Sequence, residues 1–78
     1  MDTKIKSDTK INVGANIRRI RKERGLGQTD LVRLMDLKGV IVSRETLVKI
    51  ERGIQHITAS QLRGIRDCLN TTYDELLK

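Results

Sequence analysis

Residues 43–53 read Ser-Arg-Glu-Thr-Leu-Val-Lys-Ile-Glu-Arg-Gly, and how this stretch divides its side chains decides the fold class. On a helical projection of about 100° per residue, Leu47, Ile50 and Ile54 fall within about 60° of one another, while Glu45, Lys49 and Arg52 point to the opposite side. The stretch therefore reads as a short amphipathic helix with one packing face and one long, polar face free to meet a partner. Both ends are marked. The Ser43 hydroxyl can accept from a free backbone amide, and Gly53 can take the left-handed conformation that ends a helix without a Cβ penalty.

The same signals recur outward from this helix. Toward the N-terminus, Asn12 is a cap for a helix carrying Val13, Ile17 and Ile20 on one side, with Arg18, Arg19 and Lys22 outward and Gly25 as its stop. A second element starts near Gln28, with Gly27 as its N-cap, carries Leu31, Leu34 and Met35, and ends at Gly39. The connector Gly39-Val40-Ile41-Val42 is more apolar than most turns and reads as a turn tucked over the core, since a lone strand would have no partner there. Toward the C-terminus, Thr58 and Gln61 form a capping box for a helix with Leu62, Ile65 and Leu69 on one side. Cys68 borders that face as a small hydrophobe, and Gly64 lies opposite. Asn70 ends the helix, and Thr72 with Glu75 opens a last turn containing Tyr73, Leu76 and Leu77. The architecture expected is all-α, a compact five-helix domain over residues 12–78, preceded by a polar, aperiodic, flexible basic arm over residues 1–11.

Composition agrees and excludes alternatives. A chain of 78 residues makes one domain and buries only about 60% of its unfolded surface, which favours a locally wired helical core. With no proline and a single aromatic residue, Tyr73, a sheet protein is disfavoured. One His and one Cys cannot build a structural zinc site, and the lone Cys68 cannot form an internal disulfide. No apolar run approaches the roughly 20 residues a membrane span requires. No charged-then-apolar leader is read at the start, so a cytoplasmic location is expected. No glycine-rich phosphate loop, clustered carboxylates or nucleophile and base pair is present, so no enzyme, cofactor or small-molecule ligand is expected.

The formal charge of +6 is unevenly placed: residues 1–27 carry eight basic and three acidic groups, residues 54–78 three of each. Such asymmetry points to an anionic partner. Single-stranded RNA is disfavoured, because such modules stack bases on aromatic rings. Five short helices with a turn between the second and third fit a helix-turn-helix.

Residues 17–28 (Ile-Arg-Arg-Ile-Arg-Lys-Glu-Arg-Gly-Leu-Gly-Gln), residues 43–53 and residues 74–77 (Asp-Glu-Leu-Leu) resemble, in order, the Cro and lambda-repressor-like (XRE) family over about residues 13–77. The resemblance implies that Gln28 clamps a DNA phosphate through its side chain and the free amides of its helix. It also implies that Arg44, Glu45 and Lys49 read bases, with Arg52 and the following loop against the backbone. The chemistry of these residues agrees: Arg and Lys donate to guanine O6 and N7, Glu accepts from cytosine N4, and the hydroxyl of Thr46 serves a phosphate or a base, with the capping Ser43 completing the expected DNA-binding set. Arg21 and Glu51 each lie about 40° from the packing line of their helices, so two opposite charges aimed into one small core are expected to pair.

Two features depart from the family pattern. The span from Gln28 to Ser43 is several residues longer than usual, divided here between an extra turn of the second helix and a longer connector. Arg66 stands where a small apolar residue is usual and must snorkel or find an acidic partner. The function expected is a double-stranded DNA-binding transcriptional regulator, a repressor by default, acting as a homodimer. The alternative is a protein-interaction module of the same fold, such as an antitoxin or mobile-element accessory factor, favoured by the apolar residues 40–42 and the Leu76-Leu77 end.

Overall fold

The computed structural model describes residues 4–5 and 12–78. Five helices follow in order: α1 (Val13–Glu23), α2 (Gln28–Leu37), α3 (Arg44–Glu51), α4 (Ala59–Leu69) and α5 (Tyr73–Leu76). Each apolar stripe supplies the core. Val13, Ile17 and Ile20 of α1, Leu31 and Met35 of α2, Leu47 and Ile50 of α3, Leu62, Ile65 and Leu69 of α4, and Leu76 of α5 are all buried. Helix α1 packs on α3, α4 and α5, and α2 packs on α3 and α4, so α3 rests on the first two helices.

The ends are satisfied locally. Asn12, Ser43, Thr58 and Thr72 each accept from a backbone amide through the side chain, and the Thr58 amide in turn donates to Gln61 Oε1 at 2.9 Å. At the other ends, helices α1 to α4 close on a left-handed residue: Gly25, Gly39, Gly53 and Asn70. In α3, for instance, the Ile54 amide donates to the Lys49 carbonyl and the Gly53 amide to Ile50, both at 3.0 Å, which satisfies carbonyls that the helix leaves open.

Several expectations change in three dimensions. The aperiodic arm read over residues 1–11 contains one paired segment: Lys4–Ile5 (β1) pairs antiparallel with Ile57–Thr58 (β2), Lys4 opposite Thr58 and Ile5 opposite Ile57. The rest of that arm lies outside the described residues. Ile54, placed on the α3 packing stripe by projection, is 62% exposed, because Gly53 turns the chain before the next helical position is reached. Of the last-turn residues only Leu76 enters the core. Gly64 faces inward: a Cβ there would meet Val40 Cγ2 at 3.0 Å, so α4 leaves room for the connector to lie on it.

The extended link between α2 and α3 is organised by alternation. Val42 is buried and Val40 half-buried, while Ile41 is 75% exposed. Val42 immediately precedes the N-cap Ser43, and Leu47 follows four positions after it, the spacing of a hydrophobic staple that sets the entry angle of a helix. Arg66, the misfit of the fourth helix, is half-buried and donates to Asp67 Oδ1 at 2.8 Å. Its guanidinium also lies 4.5 Å from the Tyr73 ring centroid. This bond to Arg66 holds the Asp67 carboxyl below the usual carboxylate range, and burial pushes the Cys68 thiol up.

Candidate nucleic-acid interface

Helix α3 is held from beneath and open above. Its aliphatic face is sealed by Leu47 and Ile50, while Arg44, Glu45, Lys49 and Arg52 are exposed. Glu45 and Lys49 are four apart on the helix, a spacing that permits an ion pair, but none joins them, and no ion pair joins Arg44 or Arg52 to a carboxylate among the described residues. The exposed face of α3 thus presents four charged heads with no ion-pair partner among the described residues to displace. Ser43 and Thr46 divide the remaining work. Ser43 Oγ accepts from the Thr46 amide at 3.1 Å and donates to Thr46 Oγ1 at 3.0 Å, so the serine is committed to the cap and the threonine retains its own hydroxyl proton.

Below this face lies a buried ion pair. Arg21 and Glu51 are each 6% exposed, Arg21 Nε donates to Glu51 Oε2 at 2.7 Å, and Nη2 donates to Oε1 at 2.9 Å. The two parallel bonds make a bidentate fork, the geometry that best compensates the loss of hydration. Arg21 Nη1 donates to the Leu26 carbonyl at 2.8 Å, which ties in the turn between α1 and α2. Donating to the Glu51 carboxylate raises the pKa of the Arg21 guanidinium above its already high ordinary value. Gln28, the first residue of α2, joins the same group by donating from Nε2 to Glu51 Oε1 at 3.2 Å. The carboxylate of α3 is therefore shared between α1 and α2.

Helix α1 also meets α3 at Gly14, where an added Cβ would overlap the carbonyl oxygens of Ile50 and Glu51. The close crossing and the ion pair fix one end of α3 against α1. At the start of α2, the Gly27 amide donates to Asp30 Oδ2 at 2.7 Å, which secures the turn that places Gln28.

A protein-family model described as helix-turn-helix, of the Cro/C1 type, matches residues 17–76. The chain belongs to the Cro/C1-type (XRE) helix-turn-helix family. Comparisons with curated proteins and with solved structures returned no match. The family of this XRE-family protein is one of DNA-binding regulatory domains built on a helix-turn-helix. No helix among the described residues is long and apolar enough to cross a membrane.

The residues singled out in the sequence thus occupy one surface and its support: Arg44, Glu45, Lys49 and Arg52 in water, Ser43 and Thr46 at the cap, Arg21 and Glu51 beneath. Gln28, half-buried at the start of α2, donates one amide N–H to Glu51 Oε1, a partner within the fold that the resemblance did not imply. Gly14 carried no signal of its own, because a glycine in a first helical turn looks the same whether another backbone approaches it or not.

Proposed function

We propose that this XRE-family protein is a sequence-specific transcriptional regulator of double-stranded DNA that represses by occupying a short operator, with α3 in the major groove. The observation that carries this reading is the unpaired charged face of α3, rigidly seated by Leu47, Ile50 and the Arg21–Glu51 fork. Arg44 and Lys49 donate to guanine O6 and N7, Glu45 accepts from cytosine N4, and Thr46 donates its hydroxyl proton to a base edge or phosphate. Arg52 and Gln28 contact the backbone and set the register. Binding is as a homodimer, because one short helix reads only a few base pairs and a two-fold pair of half-sites supplies the rest. The working compartment is the cytoplasm, where the DNA lies.

The deciding experiment is selection of bound sequences from random duplex DNA at physiological salt, repeated with Arg44→Ala and Lys49→Ala. An enriched palindrome that loses a different position in each variant supports the reading, and enrichment of no sequence by the parent protein would end it. A second reading, a module that mainly holds a protein partner, is favoured by one observation: Leu37 at the end of α2 and Ile41 in the connector are 79% and 75% exposed.

A further inference from the structure

We propose that Glu51 is a positioning residue for DNA contact: its buried carboxylate holds the Gln28 amide with Nε2 inward and so sets in advance the donor that Gln28 offers to a phosphate. This rests on the DNA-binding reading above and adds a residue that itself never reaches DNA. Glu51 Oε1 accepts from Arg21 Nη2 at 2.9 Å and from Gln28 Nε2 at 3.2 Å. An ionised carboxylate only accepts hydrogen bonds, so it distinguishes the two ends of a carboxamide. The amide nitrogen is drawn toward Glu51, and the flipped amide, oxygen against oxygen, is rejected. One N–H of Gln28 is used in this way and the second remains to donate. Arg21 completes the arrangement, since its two bonds to Glu51 stop the carboxylate from rotating and its third, to Leu26, anchors the guanidinium. Gln28 therefore reaches DNA with its amide already oriented, where an unrestrained glutamine would sample both faces.

The test uses the full chain and a fluorescein-labelled duplex of random sequence, because a phosphate contact is blind to sequence. Gln28→Ala should weaken binding about tenfold, the scale of one hydrogen bond to a charged group. The slope of log affinity against log salt should not change, because a neutral amide releases no counterion. Glu51→Gln, whose amide can donate as well as accept, should give a similar loss while circular dichroism shows it folded, and adding Gln28→Ala to it should cost nothing further. In the parent protein free of DNA, nitrogen-15 relaxation should show the Gln28 side-chain amide nearly as ordered as rigid backbone, about 0.85. Fully additive effects of the two substitutions would overturn the proposal. So would an order parameter below about 0.6, a measurement that stands even where Glu51→Gln fails to fold. Either result leaves the DNA-binding reading intact as long as the parent binds duplex; a parent that binds none overturns that reading as well as this one.

Discussion

At the scale of single residues, the fold depends on groups whose neighbours leave no room for error. The Arg21–Glu51 fork is the clearest, since each partner is buried and each satisfies the other. Glu51→Ala should lower unfolding stability by about 3 to 5 kcal/mol, because it strands a buried cation, whereas Arg21→Met combined with Glu51→Leu should recover most of that loss. Urea denaturation of the three proteins checks both statements, and a double variant no better than the single would show that the pair does more than balance its own charges. Gly14 is the second case. Its would-be Cβ meets backbone carbonyls that cannot rotate away, so Gly14→Ala should cost about 1 to 3 kcal/mol and lower the melting temperature clearly. Gly64→Ala is the contrast: its neighbour is the Val40 side chain, which can shift, and alanine gains about 1 kcal/mol of helix propensity, so a near-neutral result is expected in the same thermal assay.

At the scale of elements, caps do most of the local work, and they were legible. Asn12, Gly27, Ser43, Thr58 and Thr72 at helix starts and Gly25, Gly39, Gly53 and Asn70 at helix ends stand where the polar and glycine punctuation put them. Ser43→Ala should destabilise by about 1 kcal/mol through the lost bond to the Thr46 amide. Asn70 holds φ 51° with a Cβ, so Asn70→Gly should stabilise modestly, and a fall in stability would mean that its side chain contributes more than its backbone conformation costs. Where elements meet, legibility fell. The apolar connector 39–42 reads as a turn over the core, but that Val40 fills the space above Gly64 depends on how α4 crosses the connector. Likewise the pairing of Lys4–Ile5 with Ile57–Thr58 joins segments more than fifty residues apart, and two short polar-flanked stretches carry no periodicity to announce it.

At the scale of the whole molecule, the charge excess and the exposed face of α3 act together. Arg52 is the α3 cation assigned to the backbone, and one neutralised phosphate contributes about 0.9 to the slope, so this contact alone should lower duplex affinity about 3.5-fold between 50 and 200 mM salt. Fluorescence anisotropy across that range checks it: Arg52→Ala should flatten the slope by about one contact, and an unchanged slope would take Arg52 off the backbone. An affinity indifferent to salt would favour the apolar surface around Leu37 and Ile41 as the working face instead.

The sequence by itself determined the all-α class, the five helices, their caps and the two faces of α3, because helix periodicity and capping are set by residues within a few positions of one another. It also pointed to the Arg21–Glu51 pair, since two opposite charges on packing faces of a small core have few other places to go. Only the tertiary structure decided that α1 and α3 touch through Gly14, that Gln28 gives an amide proton to Glu51, that Ile54 leaves the core and that Arg66 lies against Tyr73. Those outcomes depend on crossing angles and on the direction a chain takes after a left-handed residue, which no local pattern encodes.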